Sequence, residues 1–349
     1  MPLDRRWSSS GRGNPLGVTA PELRSRAAAS ARIGARAAAS ARIGARAAAF
    51  ARIGARAAAF ARIGARASQA APPETFFAVS AVFHYLGPSF AVLLFARVPV
   101  LGVAWLRIVS AAAIFALWRR PWRHLGRLGG DGRKLLVAWG AVFAVMNSCF
   151  YLAISRLPLG TVAAIEFLPV IGLAALGSRT GRNAAALALA VAGVYLLTDV
   201  MLAGQPLGFA FAFANAALFA TYIVIGARAA ERGAARGLDN LAAAMLIAAA
   251  IATPVGAYAA APALIDPISL AAGIGVGVCS SVIPYVSDQL ALARIERSTY
   301  ALLVSLFPAL ATVIGIVVLA QLPSADELAG VLLVIAGVAL RRDPDARGG

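Results

Sequence analysis

Arg107 and Glu166 each stand inside an apolar stretch, in W-L-R-I-V and A-I-E-F-L. Ionisable groups in such surroundings are costly and are functional candidates by default. Glu166 lies three residues before Pro169, which removes a backbone donor and loosens the helix around it. A carboxylate placed there could alternate between protonated and charged states and couple proton movement to that of a solute. It could equally be half of a fixed structural pair with Arg107. Arg107 cannot shed its charge, so it either receives a carboxylate from outside or acts as a structural counter-ion. Together the two offer a cation and an anion to a zwitterion.

Other polar residues extend the set. Asp288 follows Pro284 and Tyr285 near the end of its apolar stretch. It is either a contact for an amine or a solvated helix end. Asn147, Tyr151, Tyr222 and Tyr285 carry hydrogen-bonding groups on apolar segments, where polar groups avoid lipid and line cavities. Each Tyr has an alternative as an interface anchor, and that is the expectation for Tyr151. His84, beside Tyr85, would suit a proton relay; a satisfied packing histidine is the expectation. Cys149 and Cys279 read as small buried residues, with no disulfide framework or metal-ligand spacing. No cofactor or metal site is expected.

The elements that hold these residues follow from composition. The chain has 349 residues, 60% hydrophobic and 13% charged, with a mean hydropathy of +0.79. A soluble domain is less apolar and about twice as charged. An ordinary cytosolic enzyme, a disordered chain and a disulfide-rich secreted domain are excluded. An all-α polytopic membrane protein fits. A spanning helix needs about 20 mostly apolar residues, and ten windows qualify: 76–95, 99–118, 135–154, 159–178, 183–201, 206–226, 241–261, 268–290, 299–319 and a short 325–340. With the amino terminus in the cytoplasm, sixteen basic residues fall in cytoplasmic loops and the carboxyl terminus, and only Arg97 and Arg156 outside. This bias supports the count and predicts both termini in the cytoplasm, with residues 343–349 as a short tail.

The net charge of +17 suggests nucleic acid at first. Residues 1–71, however, hold 13 Arg against Asp4 and Glu22, so most of the excess lies outside the apolar region. Within this tail, four copies of R-A-A-A-(S/F)-A-R-I-G-A start at Arg26, Arg36, Arg46 and Arg56. Ten residues advance a helix by about 1000°, so no lasting amphipathic stripe forms. A disordered cytoplasmic extension or an over-extended gene start is expected. Few aromatics accompany the arginines, so there is little to stack on a base, and no nucleic-acid partner is expected.

The two halves echo each other. Residues 151–169 (YLAISRLPLGTVAAIEFLP) parallel 290–308 (LALARIERSTYALLVSLFP), with Pro169 and Pro308 offset by 139. Five spans per half means that the second half, 204–342, enters the membrane inverted relative to the first, 72–203. Inverted repeats with a central site are a hallmark of secondary transporters. Enzyme signals are missing: there is no P-loop, H-E-x-x-H or G-x-S-x-G. A membrane scaffold would not need inverted halves or buried Glu and Arg.

Several short motifs carry a resemblance. They are Leu106-Arg107, the run Met146 to Leu152 (MNSCFYL), Pro158-Leu159-Gly160, Ala164 to Phe167 (AIEF), Thr221-Tyr222-Ile223, Ile283-Pro284-Tyr285 and Phe307 to Leu310 (FPAL). Over about residues 76–340 the chain resembles the EamA branch of the drug/metabolite transporter superfamily, in particular its threonine/homoserine exporters. The resemblance implies ten helices in two inverted EamA repeats. It also implies efflux of small metabolites, often amino acids, across the inner membrane, driven by an ion gradient, with the proton as coupling ion. The chain differs from the branch at Phe307, where Glu is usual, at Leu319-Ala320-Gln321, where L-G-E is usual, and at Phe219, where Trp is common. Efflux of cationic or aromatic compounds is the alternative, with Glu166 dominating the site and aromatics such as Phe167 lining it. A homodimer is left open.

Overall fold

The computed structural model describes residues 72–177, 180–201, 205–231, 237–292, 303 and 306–340. The basic repeat tail and the carboxyl-terminal 341–349 lie outside them, as do most of residues 293–305. Among the described residues the structure is helical, with no strand. In chain order the helices are α1 (Pro73–Leu94), α2 (Val100–Arg119), α3 (Pro121–Arg127), α4 (Gly130–Ile154), α5 (Leu159–Gly177), α6 (Gly181–Met201) and α7 (Pro206–Glu231). They continue with α8 (Gly237–Ala259), α9 (Ala261–Ile265), α10 (Pro267–Gly277), a π segment (Val278–Val282), α11 (Ile283–Leu292), α12 (Phe307–Leu319) and α13 (Ala325–Leu340). Six stretches are long and apolar enough to cross a bilayer: Glu74–Leu94, Val100–Arg119, Gly130–Ile154, Pro206–Ala229, Gly237–Ala259 and Pro267–Asp288. Leu159–Gly172, Gly181–Leu197 and Phe307–Leu319 are shorter apolar helices. Two short helices, α3 and α9, occupy stretches that the hydropathy pattern marks only as breaks.

Helix ends follow local chemistry. Proline occupies the first turn of α1, α3, α9, α10 and α12, where its missing N–H is no loss. Asp266 caps α10, accepting from Ile268 N at 3.2 Å and Ser269 N at 3.3 Å. The Ser269 hydroxyl, then these amides and Arg97, hold its carboxyl below the usual carboxylate range. Ser324 and Glu327 form a reciprocal cap on α13. Glu327 N donates to Ser324 Oγ at 3.2 Å and Ser324 N to Glu327 Oε2 at 2.7 Å, which satisfies two otherwise orphaned donors. Glu327→Ala is expected to cost about 1 kcal/mol, read as a drop of a few degrees in the unfolding temperature with transport retained.

Ala320 ends α12 in the left-handed conformation, with φ 56° and ψ 32°. Glycine is the usual residue for that backbone. The turn brings Gln321 back onto α5, where its Oε1 accepts from Leu159 N at 3.0 Å. A side chain from one half thus caps a helix of the other.

The packing pairs are reciprocal. Helix α1 packs on α11 and α12, and α7 packs on α4 and α5. Further pairs are α2 with α8, α5 with α12, and α6 with α13. Small residues set the close crossings: a Cβ on Gly193 of α6 would come within 2.6 Å of the Gly330 carbonyl of α13.

Two apolar clusters fill the interior. One holds Tyr85, Leu106, Phe150, Ile165, Phe167, Ala216, Cys279 and Phe307. The other holds Ile108, Phe115, Trp139, Phe143, Met146 and Val282. Their seam passes between Leu106 and Ile108, between Met146 and Phe150, and between Cys279 and Val282. Arg107, Asn147, Ser280 and Ser281 therefore lie along it.

Candidate functional site

The seam begins with a proline. Pro284 has no amide proton, so the Ser280 carbonyl loses its ordinary i+4 donor. The helix widens there into the π segment, a geometry frequent at functional sites. Arg107 of α2 fills the gap: Nη2 donates to Ser280 O at 3.2 Å and Nε to Ser281 Oγ at 3.1 Å. The guanidinium also sits over the Tyr151 ring, 5.4 Å from its centroid. Arg107 is buried, at 7% exposure.

Glu166 of α5 is equally buried, at 8%. Asn215 of α7 donates to its Oε1 from Nδ2 at 3.1 Å. Among the described residues the ion pairs within 4 Å are Arg97–Asp266, Arg119–Asp239 and Lys134–Asp131. Glu166 and Arg107 thus form no contact ion pair, although each lies within the other's electrostatic reach. Their charges are held separately, by Asn215 and by the serine pair.

An aromatic cluster includes Tyr85, which is within electrostatic reach of Glu166, and His84, which is within reach of Arg107. Phe307 is the hub, with ring centroids 5.3 Å from His84, 5.7 Å from Phe77 and from Tyr85, and 5.8 Å from Phe167. A second aromatic group lies toward the basic ends of the helices. Tyr222 packs on Trp139 at 5.4 Å and on Phe143 at 5.8 Å, and stacks on Phe219 at 6.3 Å. Tyr222 and Tyr285 meet through their hydroxyls, with Asp288 close to both. Tyr285 is also within electrostatic reach of Arg107 and Glu166. Electrostatic interactions therefore relate Tyr285 to Arg107, Glu166 and Asp288.

Four expectations change. Asn147 is buried at the seam, but its Nδ2 donates to Phe143 O of its own helix at 2.8 Å; that nitrogen is committed locally. Tyr151 is no interface anchor: it is wholly buried beside Arg107 and Ser280, and its hydroxyl has no hydrogen-bond partner of ordinary geometry. His84 is not fully satisfied, because its buried Nδ1 has no partner. Asp288 is half-buried and partnered, so a freely solvated helix end does not describe it. Asn215, Ser280 and Ser281 escaped the sequence reading. The signals were present: Asn215 is the lone strongly polar residue in P-L-G-F-A-F-A-F-A-N-A-A-L-F-A, and the Ser pair stands four residues ahead of Pro284.

Comparison with known proteins gives this site its context. Residues 206–341 match the EamA-like transporter family. The threonine/homoserine exporter RhtA of Salmonella typhimurium (strain LT2) is 33% identical over 272 residues, covering 75% of this chain and 90% of the relative. The RhtA of Escherichia coli (strain K12) is 34% identical over 256 residues, covering 72% and 84%. The chain belongs to the EamA-like transporter family. One solved protein crystal structure matches this EamA-like transporter over 76% of its length and 96% of the other, with a TM-score of 0.52 at 16% identity, a likeness of fold. Matched relatives and apolar helices together make the chain a multi-pass membrane transporter. The relatives account for about three quarters of its length.

Proposed function

We propose that this EamA-like transporter is a secondary exporter of small zwitterionic metabolites, amino acids such as threonine and homoserine. The observation that carries the reading is the separated pair at the centre of the fold. Arg107 and Glu166 are both buried, each on its own partners, and neither neutralises the other by contact. A zwitterion inserted between them would meet a cation and an anion. The RhtA relatives, threonine/homoserine exporters, favour the same solute class.

The wider architecture is consistent with ten spans in two inverted repeats, spans 1–5 within 72–203 and spans 6–10 within 204–342. Numbering the spans in that way, span 1 packs on spans 8 and 9, and span 6 on spans 3 and 4. Exchanging the halves turns one set of contacts into the other, as a pseudo-two-fold axis requires. The crossings of spans 2 and 7, 4 and 9, and 5 and 10 map onto themselves. Rocking one half against the other about such an axis gives alternating access, with the proton as coupling ion through Glu166. Placement in the inner membrane with cytoplasmic termini follows the basic loops. The cluster of Phe167, Phe307 and Tyr85, with Phe167 next to Glu166 in the chain, supports a second reading, efflux of a cationic or aromatic compound.

The test is release from cells. Expression is expected to raise tolerance to threonine and homoserine and to speed their release. Glu166→Gln, inserted at equal level, is expected to lower release about 10-fold or more, a loss of at least ~1.4 kcal/mol of transport barrier control. No release above vector cells for any member of an amino-acid panel, from an intact and inserted protein, sinks the amino-acid reading and favours the cationic one.

A further inference from the structure

The polar atoms around Glu166 are not all satisfied within the protein. Asn215 is fully buried; its Nδ2 is committed to Glu166 Oε1, and its Oδ1 has no partner among the described residues. The carboxylate dictates that orientation, since only the amide nitrogen can donate to it. Tyr85 of α1 is also fully buried, its hydroxyl has no partner among the described residues, and it lies within electrostatic reach of Glu166. Each such orphan in a packed interior calls for an explanation.

Within reach of Arg107 are the hydroxyls of Tyr151 and Ser280, which can donate to a carboxylate, and His84 Nδ1. Beside Glu166 a carboxamide oxygen, which only accepts, and a tyrosine hydroxyl, which can accept as well as donate, join a carboxylate: three groups able to accept, from α7, α1 and α5. A primary ammonium has three donors and no acceptor. A neutral alcohol has one donor, and a quaternary ammonium has none.

We propose that Glu166, Asn215 and Tyr85 form a seat for a primary ammonium, in which Asn215 and Tyr85 set the preference for primary over methylated amines. This seat rests on the amino-acid reading above and narrows it to solutes with an unsubstituted amine. Glu166 supplies the charge. Asn215 also fixes the carboxylate rotamer, so the two acceptors are placed before the solute arrives. Tyr85 is held between His84 and Phe307, with ring centroids at 5.2 Å and 5.7 Å, which sets the direction of its hydroxyl.

The experiment follows thermal unfolding of the purified full chain in lipid nanodiscs. The added probes are threonine, propylamine and trimethylpropylammonium. Threonine and propylamine are expected to raise the unfolding temperature, and the trimethylated amine to leave it unchanged. Asn215→Leu keeps the size and removes both polar atoms; it is expected to raise the half-maximal propylamine concentration about 10-fold or more. Tyr85→Phe removes one oxygen and is expected to act in the same direction. The methylation comparison needs no variant, so it stands even where Asn215→Leu does not fold. Equal stabilisation by propylamine and its trimethylated form overturns the seat, as does no shift with either primary amine. An unchanged half-maximal concentration in Tyr85→Phe and in folded Asn215→Leu also overturns it. A propylamine shift from a protein that releases no amino acid supports the seat and sinks amino-acid export. Threonine release without discrimination among the amines does the reverse.

Discussion

Arg107→Ala is expected to lower threonine release at least ~100-fold while the protein still inserts in the membrane. Among the described residues, the substitution removes the only permanent cation at the seam between the two apolar clusters. It also takes a donor from the Ser280 carbonyl, which Pro284 has already deprived of its i+4 donor, and frees Ser281 Oγ. Breaking one side of a buried charged arrangement costs about 3–5 kcal/mol, and 2.7 kcal/mol of barrier is already about 100-fold in rate. Arg107→Lys is expected to fail nearly as badly. Two different guanidinium nitrogens reach Ser280 and Ser281, and a single ammonium on a flexible stem does not reproduce that planar fork. Release measured at matched membrane abundance checks both variants. Arg107→Ala with half or more of the native release would reduce Arg107 to a structural residue and take the carboxylate-binding role away from it.

Gly87→Val is expected to be the most damaging single change to the fold around the site. A Cβ at Gly87 would lie 2.7 Å from Ser280 N and 2.8 Å from Ser280 Cα. These are backbone atoms of the π segment and cannot swing aside. Something must shift, and what shifts is the segment that presents the Ser280 carbonyl to Arg107. Overpacking a tight interior costs about 1–3 kcal/mol; with backbone on the other side, the upper end is expected, together with loss of release. The unfolding temperature of purified protein, measured beside release, separates the two effects. A Gly87→Val protein with native stability and native release would mean that α1 and the π segment do not need this close approach.

Much of the architecture was legible because lipid imposes a simple rule. Backbone groups must pair within a segment, so spans are long apolar helices, and loops show their charge. The six clear spans lie where hydropathy puts them, and the Pro and Gly breaks mark their ends. The short helices α3 and α9 were invisible, because a turn or two of helix in a connecting segment leaves no periodic signal. Glu166 and Arg107 stood out for the same reason that spans did: a charge in an apolar run is rare. Asn215 did not stand out, since one uncharged amide barely perturbs a hydropathy window. Tyr151 was misread because a tyrosine near the end of a span carries the same letter whether it faces the headgroups or the core.

The exchange of partners was the larger gap. The sequence contains Glu166 and Arg107 in separate helices with nothing to say whether they meet, and a direct ion pair was as good a reading as any. The tertiary structure separates them: Asn215 of α7 takes the carboxylate, and the π segment ahead of Pro284 takes the guanidinium. The same holds for Leu319-Ala320-Gln321. Its letters depart from the related L-G-E, yet Ala320 adopts the left-handed turn at which glycine is usual, and Gln321 caps α5. Residue type, spacing and hydropathy alone therefore determined that this chain is a helical membrane protein with buried charges of both signs. Which groups neutralise them, and which buried acceptors stay open for a solute, was decided only by packing, because partner choice depends on helices 49 to 174 residues apart in the chain coming within hydrogen-bonding distance.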